Sequence, residues 1–417
     1  MRNLIKKLKL KRRVITALAA MHFYGNPSSK LKIVGVTGTN GKTTTATLLY
    51  KIATALGYKV GLIGTVENLI MGQILPATHT TPDPISLNKL LSLMVTRGCE
   101  YVFMEVSSHA LDQRRVAGVT FAGGIFTNLT HDHLDYHKSV ENYFLAKKKF
   151  FNMLPASAFA LSNMDDEHGE LMLEGIKAKK FLYGFNGCER CQGGHLTCFH
   201  GKISKLDFSG LSLEVNGENI KSRLLGKFNA YNLLAVWSAS NLLGFDVEKV
   251  KKILENIEPP KGRFDHFMSG SGVLVVVDYA HTPDALEKIF SAVKEIKSAN
   301  GKLISVFGCG GDRDPLKRRI MGKIGAKNSD IAIFTSDNPR SENPDSIIAE
   351  MKIDLSMMDS KKVKTIANRR EAILESVKLA GSGDIILCAG KGHEDYQEIK
   401  GVKHHFDDME EFQKAYE

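Results

Sequence analysis

The chain has 417 residues, enough for two or three domains, with 43% hydrophobic and 24% charged residues, the composition of an ordinary globular protein. No apolar run is long enough to span a bilayer as a helix, which argues against an integral membrane class. A formal net charge of +10 and a pI near 9.1 call for an anionic partner without choosing among nucleic acid, lipid surface and phosphorylated small molecule.

Residues 1–29 read as a basic arm. Lys6, Lys7, Lys9, Lys11, Arg12 and Arg13 precede a short apolar run, and no cleavage context follows, so export is not expected. Leu4, Leu8, Ile15, Leu18 and His22 share one helical face, which suits a helix docked on the next domain or resting on anionic lipid.

Residues 30–258 are expected to form a central domain. Leu31, Ile33, Val34 and Val36 run into Gly38, Thr39, Asn40, Gly41, Lys42, Thr43 and Thr44, and Leu48, Leu49 and Ile52 follow at helical spacing. Strand, glycine loop and helix start make a phosphate cradle: backbone N–H groups face an anion at a helix N-terminus, Lys42 adds a cation, and Thr43 offers a hydroxyl to Mg²⁺. Val36 stands where the commonest form of this loop has its first glycine.

Residues 60–65 read as a second strand, and Thr80, Thr81, Pro82 and Pro84 as a turn. Residues 101–104 read as a buried strand ending at Glu105, followed by Ser107 and Ser108. A carboxylate at the carboxyl end of a parallel strand sits where such sheets present ligand-contacting groups, so Glu105 reads as a metal ligand or water-orienting base. A strand at 123–127 leads to His131, Asp132, His133, Asp135 and His137, a dense set of titratable groups at another strand end. Lys147 shares a helical face with Tyr143, Phe150 and Phe151, so it points inward, where a lysine needs a partner or loses its charge. Asn229 and Asn232 open a long apolar helix, as caps or as groups that hold a purine ring.

The six cysteines (Cys99, Cys188, Cys191, Cys198, Cys309 and Cys388) do not make a disulfide framework, so a reducing cytoplasm is the expectation. Cys188, Cys191, His195, Cys198 and His200 fit no standard zinc spacing.

Prolines and glycine break the pattern at 258–262, and residues 259–417 read as a second α/β domain with strands at 273–277, 303–307, 331–334 and 385–387. Their ends carry Asp278 and His281, Arg313, Asp337 to Arg340, and Gly390 to Glu394. Such an edge is the default ligand site of an open α/β sheet. The fold class is therefore α/β, a P-loop-type parallel-sheet domain followed by a Rossmann-like one.

Together the Gly38 loop, Thr80 to Pro82, Met104 to His109, Phe126 to Asp135, Gly262 to Phe264, Asp278 to Pro283 and Gly390 to Glu394 resemble the Mur ligases of peptidoglycan synthesis. Within them the match is to the type that adds the third residue of the stem peptide. The resemblance runs from about Phe23 to the C-terminus. It implies ATP on the loop with Lys42 and Thr43, one Mg²⁺ near Thr43 and Glu105, and a second near Glu105, His133 and a carbamylated Lys147. It also implies adenine beside Asn229 and Asn232, and Arg263 and Asp278 as the groups of the C-terminal domain that serve ATP. Thr80, Thr81, Ser107, Gln113 and Arg115 match positions that hold an anionic muramoyl-dipeptide. Asp337, Asn338 and Arg340, with Arg313, Gly390 and Glu394, resemble the set that selects meso-diaminopimelate. Arg340 can pair the distal carboxylate of that diamino acid through two parallel hydrogen bonds, and a lysine substrate has nothing there to bind.

One departure stands out: members of that family usually carry an additional N-terminal domain for the uridine diphosphate end of the substrate, and here the glycine loop begins only about thirty residues in, so no room for that domain is expected in this sequence. The expected activity is an ADP-forming amide ligase acting through an acyl phosphate, in a cytoplasmic monomer without nucleic-acid contacts, whose basic arm could meet a membrane or a partner protein. A folylpolyglutamate synthase-like ligase and a non-catalytic ATP-binding partner are the alternatives.

Overall fold

The computed structural model describes residues 2–77, 79–130, 132–186 and 197–417. The chain divides into two compact units, one of Met1–Leu224 with Phe228–Ile257, the other of Leu225–Lys227 with Glu258–Glu417.

The first unit is built on one sheet of β1 (Lys32–Thr37), β2 (Val60–Ile63), β3 (Asn68–Ile70), β4 (Gln73–Leu75), β5 (Tyr101–Glu105), β6 (Gly123–Phe126), β7 (Phe159–Asn163), β8 (Lys179–Gly184), β9 (Thr197–Asp207), β10 (Gly210–Val215) and β11 (Glu218–Ser222). The order is β11-β10-β9-β8-β7-β6-β1-β5-β2-β3-β4. Pairs from β9 through β2 are parallel, and the two margins are antiparallel. Parallel strands covered on both faces need continuous apolar runs, and β5 is buried at every position. Val36 pairs with Glu105 and Thr37 with Phe126, so β1, β5 and β6 end level with one another. That register brings the Gly38 loop, Glu105 and the segment after Phe126 to one edge.

Two local features were not foreseen. Met71 (φ 50°) and Gly72 (φ 84°) make a two-residue left-handed turn between Ile70 and Gln73, which folds β3 onto β4. The helix Arg2–Phe23 docks through Ala17 and Ala20, whose small side chains permit close approach, while Ile15 stays 66% exposed and Leu18 43%. Leu18 Cδ2 and Met21 Sδ would each lie 3.0 Å from a Cβ on Gly118, so this part of the helix lies against that turn.

The second unit carries β12 (Asp265–Met268), β13 (Leu274–Asp278), β14 (Leu303–Phe307), β15 (Ile331–Phe334), β16 (Val363–Thr365) and β17 (Ile385–Ala389) in the order β12-β13-β17-β14-β15-β16, parallel except for β12. Asp278 and Phe307 both pair with Ala389, so the residues after β13, β14 and β17 share one edge. A hairpin of β18 (Tyr396–Ile399) and β19 (Val402–His405) follows, and Ile399 bridges to Arg340.

Cys99, Cys309 and Cys388 are buried free thiols. Cys188, Cys191 and His195 lie outside the described residues, as does His131. Among the described residues no helix is long and apolar enough to cross a membrane.

Candidate active site

The loop after β1 needs its glycines for space. A Cβ on Gly38 would lie 1.8 Å from Thr127 Oγ1, and one on Gly41 (φ 82°) would lie 2.4 Å from Asn232 Oδ1. The loop is braced from β6: Asn40 N donates to Asn128 Oδ1 at 2.9 Å, and Thr127 Oγ1 donates to Asn40 O at 2.6 Å. Thr39 Oγ1 accepts from Thr130 N and lies 3.2 Å from the Tyr143 hydroxyl. Thr44 is buried in the first turn of the Lys42–Ala55 helix. The result is a preformed concave backbone at a helix N-terminus, the geometry that suits a polyphosphate.

Two amines meet on one loop carbonyl. Lys42 Nζ donates to Gly38 O at 3.0 Å and Thr39 O at 2.8 Å, and Lys147 Nζ donates to Gly38 O at 2.7 Å. Lys147 is 1% exposed, and its amine sits 4.3 Å from the centre of the Tyr143 ring. Burial, then the charge of Lys42, pushes its pKa well below the lysine range. The His133 ring lies 6.0 Å from the Tyr143 ring, and His133 holds a left-handed backbone (φ 55°) at the start of a short helix. His137 contacts Ser108 Oγ at 3.0 Å, and its pKa is pushed down to about 4 by burial and by His109.

Glu105 is the hub of this edge. Its side chain accepts from Thr43 Oγ1 (3.0 Å), Thr65 N (2.7 Å) and Thr65 Oγ1 (3.1 Å) while almost fully buried. With its single proton on Glu105, Thr65 Oγ1 can accept from the Thr80 hydroxyl, 3.0 Å away. Thr81 Oγ1 donates to Glu105 O and accepts from Ser107 N, and Arg115 Nη1 donates to Thr81 O while Arg115 also grips Gln113 Oε1. The positions read as acceptor-binding thus form one hydrogen-bonded group joined to the loop through Glu105. Asn232 Nδ2 donates to Asn229 Oδ1 at 3.0 Å, and both are buried behind Gly41. A hard carboxylate and a hydroxyl side by side suit Mg²⁺.

The second unit gathers its own set. Asp278 accepts from the N–H groups of Phe264 and Ala280, and burial raises its pKa against the opposing charge of Arg263. The Arg263 guanidinium lies 4.9 Å from the Tyr279 ring centre, and its buried Nε has no partner among the described residues. Asn338 Nδ2 donates to Glu394 Oε2 at 2.8 Å, and a Cβ on Gly390 would press Asp337 Oδ2 at 2.6 Å. Burial and the Asp337 charge raise the Glu394 pKa. Arg340, in a left-handed backbone (φ 51°), donates to Gly311 O at 2.8 Å and lies 3.4 Å from Glu398. Arg313 is exposed near Gly310, the residue that Arg340 also approaches.

Sequence reasoning assigned no role to Thr65, Asn128, Tyr143 or Lys391. Lys391 is fully buried, donates to Tyr396 O and stands 3.6 Å from Glu394. Its place inside the Gly390 to Glu394 cluster was the available signal.

Comparison with known proteins agrees with this geometry. Residues 36–240 match the Mur ligase middle domain and residues 262–392 the Mur ligase glutamate ligase domain. A relative from Parabacteroides distasonis, named UDP-N-acetylmuramoyl-L-alanyl-D-glutamate--2,6-diaminopimelate ligase, is 52% identical over 96% of this chain and 80% of its own length. A solved structure of a ligase of the same name superposes with a TM-score of 0.68 at 34% identity, over 93% of this chain and 78% of that one. A folylpolyglutamate synthase from Thermotoga maritima has a TM-score of 0.69 over 94% of each chain, but at 14% identity it shows the fold alone. Two matched domains and a half-identical relative over nearly the whole sequence establish that the chain belongs to the Mur ligase family.

Proposed function

We propose that the chain is an ADP-forming ligase that joins meso-2,6-diaminopimelate to UDP-N-acetylmuramoyl-L-alanyl-D-glutamate. The observation that carries this reading is the Glu105 hub, which ties the phosphate loop through Thr43 to the acceptor positions through Thr65 and Thr80. Phosphoryl donor and carboxylate acceptor are then held by one network.

Lys42 and the loop N–H groups would hold the triphosphate, and Thr81, Ser107, Gln113 and Arg115 the dipeptide. The glutamate carboxylate oxygen attacks the γ-phosphorus, the bond to the bridging oxygen breaks, and ADP leaves with that electron pair. The amine of diaminopimelate then attacks the acyl carbon, phosphate departs and one amine proton is lost, leaving the amide. The residues bring charge and position to these steps, the terms that dominate phosphoryl transfer. Thr43, Glu105, His133 and a carbamylated Lys147 are the groups that would hold Mg²⁺, which when bound offsets charge on the phosphoryl oxygens. Lys147 suits this because a desolvated, neutral amine can take up CO₂ and become an anion. Arg340, Asp337, Asn338 and Glu394 would hold diaminopimelate.

ATP turnover with the UDP-muramoyl-dipeptide, adding diaminopimelate or lysine in turn, tests the reading. Phosphate release that needs both substrates and prefers diaminopimelate is expected, and Lys42→Ala should abolish it. Release that ignores either substrate would overturn the assignment.

A further inference from the structure

A lysine withdrawn from water needs a partner for its charge. Lys391, just after β17, is 0% exposed, and its amine has two partners: the Tyr396 carbonyl, to which it donates, and Glu394 Oε2 at 3.6 Å. The centre of the Tyr396 ring lies 5.4 Å from the same amine. Tyr396 opens the hairpin of β18 and β19, and that hairpin holds the 337–340 segment. Gln397 Nε2 donates to Asp337 O at 2.7 Å, Glu398 N to Asn338 Oδ1 at 2.8 Å, Arg340 N to Glu398 O at 3.0 Å and Lys400 N to Arg340 O at 2.7 Å. One buried amine therefore joins the turn at 390–394 to the hairpin that fixes Asn338 and Arg340.

Glu394 depends on this arrangement for its charge. Burial and Asp337 push its pKa up, and Lys391, the Asn338 amide and Arg340 oppose them. Tyr279, after β13, also faces Glu394, with its own pKa raised by burial and by that carboxylate. The Arg340 guanidinium is engaged elsewhere, by Gly311 O at 2.8 Å and Glu398 at 3.4 Å. Among the described residues, Lys391 is the cation within ion-pair distance of Glu394.

We propose that Lys391 is a positioning residue for the diamino acid: it holds Glu394 as an anion in a fixed place, so that the carboxylate can meet a substrate amine. The proposal rests on the ligase reading for the identity of that substrate.

The test is the pH dependence of diaminopimelate affinity, read as Kd by calorimetry on the full chain with a non-hydrolysable ATP analogue bound, and as KM in ligation. In the unaltered chain both should be flat between about pH 6 and 8, because Glu394 stays ionised there. Lys391→Met should move the pH at which affinity is lost upward by about 1–3 units, the effect of removing a cation at this range. Kd then rises as pH falls and recovers as pH climbs, while KM for ATP is unchanged. Lys391→Arg keeps the charge and should keep the profile flat. A lysine that only packs would raise Kd equally at every pH, and that result overturns the proposal. Where Lys391→Met does not fold, the unaltered chain decides. A flat profile whose affinity Glu394→Gln lowers supports the proposal, and a step within that pH window that Glu394→Gln abolishes overturns it, as does the absence of any diaminopimelate binding. The two readings separate: binding with the expected profiles but no ligation removes the ligase reading alone, and ligation whose KM ignores the charge at Lys391 removes this proposal alone.

Discussion

Arg369 in the second unit and Lys147 in the first are both cations withdrawn from water, and the chain treats them in opposite ways. Arg369 is clamped by Asp408 through two bonds of 2.7 Å, with both side chains 0% exposed, and it also donates to the carbonyls of Ser336 and Ala389. Lys147 has a carbonyl and an aromatic face, and a second lysine shares that carbonyl. The matched charge fastens helix Arg369–Leu379 to helix Asp408–Tyr416. The unmatched one is pressed toward neutrality, a state with little structural benefit and a clear chemical use. Burial without compensation is therefore the better pointer to chemistry than burial itself.

The sharpest way to break that contrast is Lys147→Met. Ligation should fall by about 10²–10³-fold, the scale of losing one preorganised electrostatic group, while thermal melting rises. The gain should grow as pH falls below the ordinary lysine range, where the unfolded amine takes up a proton that the buried one resists, and should vanish as pH climbs through that range. A variant that loses both activity and stability would show that Lys147 is a packing residue. Asp408→Asn probes the other side: stranding Arg369 should cost about 3–5 kcal/mol, read as a lower urea midpoint, and an unmoved midpoint would remove the comparison's second term.

Arg340→Ala should narrow the preference for diaminopimelate over lysine by about 10–100-fold, the worth of a charge-assisted hydrogen bond, measured as the ratio of kcat/KM values. The smallest effect belongs to His137. Its folded pKa of about 4 lies below the ordinary histidine value, so it contributes a loss of stability as pH falls from 6.5 toward 4, and His137→Gln should flatten the melting profile over that window alone.

The parts legible in the sequence were those written as local pattern. The strand entering the Gly38 loop, the buried strand ending at Glu105 and the inward Lys147 follow from periodicity, because a side chain's face on a strand or helix is fixed by spacing. What the pattern missed depends on partners far along the chain. Thr65 reaches Glu105 across 40 positions and Asn128 braces Asn40 across 88, and neither pairing has a local signature. The arm helix shows the limit from the other direction. Ala17 and Ala20 are its buried side chains among the described residues, a pair that an apolar stripe counted by side-chain size passes over.

Glu105 has one more consequence. Three donors already hold its oxygens, which leaves about one of a carboxylate's four acceptor sites for an incoming divalent ion, with the Thr43 hydroxyl as the next oxygen beside it. Thr65 Oγ1 touches both Glu105 and Thr80, so one hydroxyl lies between the carboxylate and the acceptor positions. Any shift of that carboxylate toward an ion would thus be felt at Thr80 through a single shared side chain.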